Sequence, residues 1–176
     1  MHKPIFAISY KKPEELQYLP DEDFVWDAIQ QHGNTGIDYI DSDITLWNDD
    51  AFLWAMNRSF KNSKFDTIPA PFENIKRTKT TVVTISLEDV ITYLKNMKDS
   101  IEKHVENLNY ENYLSWKDTL LYTLLENGTQ YVMCEDVYTD TFMYEADLAA
   151  RLYNKMKKEN KTEITITLIR IFDCHI

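Results

Sequence analysis

A chain of 176 residues is long enough for one ordinary domain with a real core, and 44% hydrophobic with 13% aromatic residues is too apolar for a disordered chain. The formal net charge of −10 disfavours direct binding to a nucleic-acid backbone, which needs Lys and Arg to release counterions, and favours attraction to basic partners. Only three glycines, Gly33, Gly36 and Gly128, leave little material for phosphate-cradling loops.

In chain order, Pro4 to Tyr10 alternates, with Phe6, Ile8 and Tyr10 on one side, and predicts a strand. Asp21 to His32 predicts a helix with an apolar stripe through Phe24, Val25, Ala28 and Ile29, acids in its first turn and Gly33 as its cap. Gly36 to Trp47 carries strand character, bent at Asp41-Ser42-Asp43. Asn48 suits an N-cap for a helix to Phe60, buried along Phe52, Met56 and Phe60. Residues 61 to 79, with Pro69 and Pro71, read as a long loop.

Thr80 to Ile85 is β-branched and predicts a strand, and Ser86 with Asp89 three residues on resembles a capping box. Leu87, Val90, Ile91, Leu94, Met97, Ile101, Val105 and Leu108 recur at helical spacing; after a break at Asn109 to Asn112 the pattern resumes through Leu125. The prediction is a helical hairpin over 87–126. Tyr131 to Cys134 predicts a short strand, Thr141 to Lys158 a helix, and Thr162 to Phe172 a strand. In that last strand the inward parity changes between Leu168 and Ile169, which calls for a bulge or for burial on both faces. The expected class is α+β (mixed α/β): one domain over 1–176, with a small sheet of about four to six strands covered by about five helices.

Familiar chemistry is absent. There is no phosphate-binding loop, dinucleotide fingerprint, nucleophile elbow or zinc-protease helix motif. His2, His32, His104 and His175 are scattered, and the adjacent Cys174-His175 pair is weak evidence for a metal. Asp38, Asp41 and Asp43 resemble a carboxylate cluster, but the run fails the calcium-loop pattern at its Gly and closing Glu positions. The expectation is no metal, no cofactor and no catalytic residue. No signal peptide is visible, no apolar stretch approaches the ~18 residues of a membrane span, and two cysteines make no disulfide framework, so a reducing cytoplasm is expected.

What stands out is the placing of charge. Residues 13–57 contain no Lys or Arg and 11 acids; residues 118–150 contain none and 7 acids. Those two segments hold 18 of the 29 acids, whereas ordinary surfaces intersperse the signs. Aromatic residues lie among them: Trp26 at the edge of its helix stripe, Trp54 opposite the apolar face of its own, and Tyr144 directed away from Phe142 and Ala146. The sequence therefore predicts an acidic protein-binding or inhibitor domain that docks on a basic surface of a partner. One form is a nucleic-acid mimic acting against a nuclease or other nucleic-acid-binding defence protein, in the manner of phage and mobile-element anti-defence inhibitors. The expected contact residues are Asp21, Glu22, Asp23, Trp26, Asp27, Asp38, Asp41, Asp43, Asp49, Asp50, Trp54, Asp136, Asp140 and Tyr144. Two alternatives stand beside it: a metal-dependent nucleotide or phosphodiester enzyme using Asp38, Asp41 and Asp43, and a subunit of a larger assembly or a toxin immunity protein.

Overall fold

The computed structural model describes residues 2–12, 15, 19–32, 38–41, 47–70, 78–107, 128–135 and 141–175. Their elements run β1 (His2–Ser9), α1 (Glu22–His32), β2 (Tyr39–Asp41), α2 (Asp49–Ser59), β3 (Lys64–Pro69), β4 (Lys79–Ser86), α3 (Leu87–Glu106), β5 (Gln130–Met133), β6 (Thr141–Tyr144), α4 (Glu145–Glu159) and β7 (Glu163–His175). This is the expected α+β class, with one strand more than anticipated. The second arm of the predicted hairpin and the Gly33 cap lie outside the described residues.

All seven strands form one sheet in the order β3-β4-β7-β1-β5-β6, and β2 pairs with the end of β7. Pairing is antiparallel except between β1 and β5. β7 is the spine: its first half pairs with β4 and its last residues with β2, while its other edge takes β1. The parity change in β7 is a bulge. Ala7 pairs with Arg170 and Ile8 with Leu168, so Ile169 is the extra residue.

That bulge lets β7 serve two cores. Leu168 and Ile171 join Phe6, Ile8, Val83, Ile85, Tyr131 and Ile166 beneath α2, α3 and α4. Ile169, Phe172 and Cys174 join Ile5, Ala7, Val132 and Phe142 beneath Val25, Ala28 and Ile29 of α1. The alternation of β1, Ile5 and Ala7 against Phe6 and Ile8, thus supplies both faces of the sheet.

The caps follow the sequence. Asn48 accepts hydrogen bonds from the backbone N–H groups of Asp50 and Ala51. Ser86 Oγ accepts from Asp89 N at 3.1 Å, and the buried Asp89 carboxylate accepts in turn from Ser86 Oγ and from Asn62. Here Asp89 serves the Ser86 hydroxyl, whereas Asp147 at the start of α4 accepts from the Tyr144 backbone N–H at 3.2 Å. Along α3, Val90 is fully buried, while Leu94 and Met97 are only half-buried.

Two predicted elements are corrected. Lys64 to Pro69, read as loop, is an edge strand, and its composition shows why it escaped notice: Lys64, Asp66 and Pro69 are the residues that blunt an edge. Ala70 N donates to Thr78 O, so by alternation the backbone groups of Phe65, Thr67 and Pro69 point outward. The Thr67 N–H is taken by Asp66 Oδ1 at 2.8 Å, and Pro69 has none. Replacing Asp66 and Pro69 together by Val should open this edge and raise self-association in sedimentation or light scattering. An unchanged association state would contradict the reading of these two residues as guards.

The second correction concerns Thr141 to Tyr144, predicted as the start of a helix. These four residues form β6, and the helix begins at Glu145. Phe142 and Tyr144 enter the α1-side core and Met143 the other, so both faces are apolar and periodicity alone does not separate strand from helix.

Candidate protein-interaction surface

β2 lies within the first acidic segment, residues 13–57. It lies on the edge of β7, with α1 packed beside it on one face of the sheet and the start of α2 anchored on the other. Trp47, just before α2, donates from Nε1 to Asp173 Oδ1 at 2.9 Å, and Thr81 Oγ1 donates to Asp49 Oδ2 at 2.7 Å. Acids therefore wrap this edge from α1 through β2 to α2. Asp21, Asp23, Asp27, Asp38, Asp41 and Asp50 are exposed; Glu22 and Asp49 are half-buried. No Lys or Arg comes from the same stretch of chain.

Some of these acids also have local work. Asp21 Oδ1 accepts from Phe24 N at 2.9 Å and caps α1. Glu22, Asp23, Asp49 and Asp50 sit in first turns, where the helix dipole favours negative charge. Asp27, Asp38 and Asp41 lie outside any first turn.

At the centre sits a constellation assembled from distant parts of the chain. The Tyr39 ring stacks on the His175 ring, with centroids 4.9 Å apart and planes 11° from parallel. Tyr39 is 50% exposed. His2 meets His175 edge-on at 5.0 Å. Asp173 is buried and uses both carboxylate oxygens: one accepts from Trp47, the other from His2 Nδ1 at 2.6 Å. A carboxylate only accepts, so the His2 proton resides on Nδ1. The Asp38 N–H donates to His175 O, and its carboxylate lies 3.8 Å from His175 Nδ1, just beyond hydrogen-bonding distance.

Sequence reading missed Tyr39, His2, His175, Asp173 and Trp47. Their numbers span the whole chain; the pairing of three strands brings the first four together, and Trp47 joins them by its hydrogen bond to Asp173. The one local hint was the Asp38-Tyr39-Ile40-Asp41 alternation, which puts Tyr39 and Asp41 on one face. Cys174, beside His175 in sequence, points to the opposite side of the sheet into the α1-side core, and burial with the neighbouring Asp173 pushes its thiol up to about 12. The adjacent pair is thus split between two faces and does not chelate.

The remaining predicted contacts fall as follows. Trp54 is 64% exposed, one turn from Asp50, with the Arg58 guanidinium 5.0 Å from its ring centroid. Trp26 is half-buried against the α1-side core. Tyr144 is corrected: strand period places it on the same face as Phe142, where it is buried, so it is no exposed anchor. Asp43, Asp136 and Asp140 lie outside the described residues.

Arg58 leads to a second polar cluster. Its Nη2 donates to Glu145 Oε2 at 2.5 Å and to Thr129 Oγ1 at 3.3 Å, and Thr129 N also donates to Glu145. Burial, and after it the Glu145 carboxylate, pushes the hydroxyls of Tyr93 and Tyr131 above their ordinary range. This cluster ties α2 to the start of α4 and to β5.

Among the described residues no group of three His, Cys, Asp or Glu side chains is placed to hold a metal ion, and no helix is long and apolar enough to cross a membrane. Comparison of the chain with known protein families, with curated proteins and with solved structures finds no match in any of the three.

Proposed function

We propose that this chain is an acidic protein-binding domain that docks the edge formed by α1, β2 and the start of α2 onto a basic surface of a protein partner. The observation that carries the reading is Tyr39: a half-exposed aromatic ring, seated on His175, between exposed Asp38 and Asp41, in a stretch of chain without Lys or Arg. An exposed aromatic residue held rigid among charges of one sign is the composition of an interface anchor with an electrostatic rim. Nucleic-acid-binding proteins are one partner class that fits, because their grooves gather Lys and Arg. An inhibitor of such a protein would work by occupying that groove.

The experiment is affinity capture at low and high salt with the natural chain and with a variant in which Asp23, Asp27 and Asp38 are replaced by Lys. Asp21 is left alone because it caps α1. The expected result is a specific partner held by the natural chain at low salt, weakened by salt and lost by the variant. A partner retained equally by both chains at both salt concentrations would count against the proposal.

A further inference from the structure

We propose that Tyr39, seated on His175 and flanked by Asp38 and Asp41, is a slot for one arginine side chain of the basic partner. The inference rests on the docking reading above and names the side chain recognised. One side of the Tyr39 ring is occupied by the nearly parallel His175 ring, yet Tyr39 remains half-exposed. A planar cation laid on its solvent side would continue the stack. Asp41 stands two residues along the same strand and so on the same face, and Asp38, 73% exposed, stands beside His175.

The platform is fixed before any partner arrives. Tyr39 and His175 are directly paired across β2 and β7, and His2 is paired with His175 across β1 and β7. The His2 ring is held in turn by Asp173, whose second oxygen is held by Trp47. A recognition surface braced by a buried carboxylate loses little side-chain freedom on binding.

The geometry selects arginine over lysine. A guanidinium is planar, stacks on aromatic faces and presents parallel N–H groups that match a carboxylate. An ammonium is a strongly hydrated point charge that gains from the acids but not from the stack. Anionic ligands are disfavoured by the surrounding acids.

The probes are two acetylated, amidated peptides, Lys-Gly-Arg-Gly-Lys and Lys-Gly-Lys-Gly-Lys, titrated into the full chain and followed by NMR. The arginine peptide is expected to shift the Tyr39 and His175 ring resonances and to bind at least about fivefold more tightly than the lysine peptide. Tyr39→Ala should erase that preference, and Tyr39→Phe, which keeps the stack, should retain it. Equal binding of the two peptides, absence of binding by both, or a preference untouched by Tyr39→Ala would each overturn the slot. The docking reading fails separately, on capture that is indifferent to the Asp23, Asp27 and Asp38 reversal.

Discussion

Phe6→Ala is expected to cost about 3–5 kcal/mol, roughly a fifth or more of the ~5–15 kcal/mol stability of an ordinary domain. Phe6 is fully buried on β1, a central strand of the sheet, with its ring 5.2 Å from that of Phe52 and 5.9 Å from that of Tyr131. It therefore joins a helix of one layer to the two strands paired through β1 and β5, and the surrounding side chains have no room to collapse into the void. Phe65→Ala, at the exposed edge of β3, should cost less than about 1 kcal/mol. Chemical unfolding of both variants checks the contrast. Similar costs would mean that the core is not organised around β1.

Arg58→Ala is expected to cost about 2–4 kcal/mol, because it removes the cation paired with the Glu145 carboxylate, whose side chain is 7% exposed, and leaves that charge with only the neutral Thr129 N–H and Tyr93 hydroxyl beside it. The figure sits below that for a fully buried pair because the Arg58 side chain is 41% exposed and partly solvated already. Removing both partners, with Arg58→Ala and Glu145→Leu combined, should restore at least half of the loss, since no unpaired charge then remains inside. At a urea dependence of about 1–3 kcal/mol per molar, the single variant should lower the unfolding midpoint by roughly 0.7–4 M. A double variant as unstable as the single one would show that Arg58 matters through its packing on Trp54 and not through the charge of Glu145.

Much of the architecture was legible in the sequence because it is written locally. Asn48 and Ser86 announce helix starts by the hydrogen bonds their side chains accept, and the parity change at Ile169 announces the bulge. β3 was not legible because edge protection removes the apolar alternation that identifies strands. β6 was not legible because burial on both faces erases periodicity, and that same error turned Tyr144 outward. The acidic edge was legible as a run of charge without Lys or Arg. Its centre was not, since His2, Tyr39, Asp173 and His175 meet through strand pairing across the length of the chain and Trp47 joins them by its hydrogen bond to Asp173.

The most direct test of the docking claim is the rate at which the chain associates with the partner recovered at low salt. The natural chain is compared with two triple charge reversals to Lys, at Asp23, Asp27 and Asp38 on the acidic edge and at Glu88, Asp99 and Glu106 on α3. All six acids are exposed, so neither triple disturbs the core. Steering by a charged face predicts that the first triple slows association roughly ten- to a hundredfold at low ionic strength, that the difference shrinks as salt screens it, and that the second triple changes the rate far less. Equal rates for the two triples, independent of salt, would contradict the claim that this edge is where the protein meets its partner.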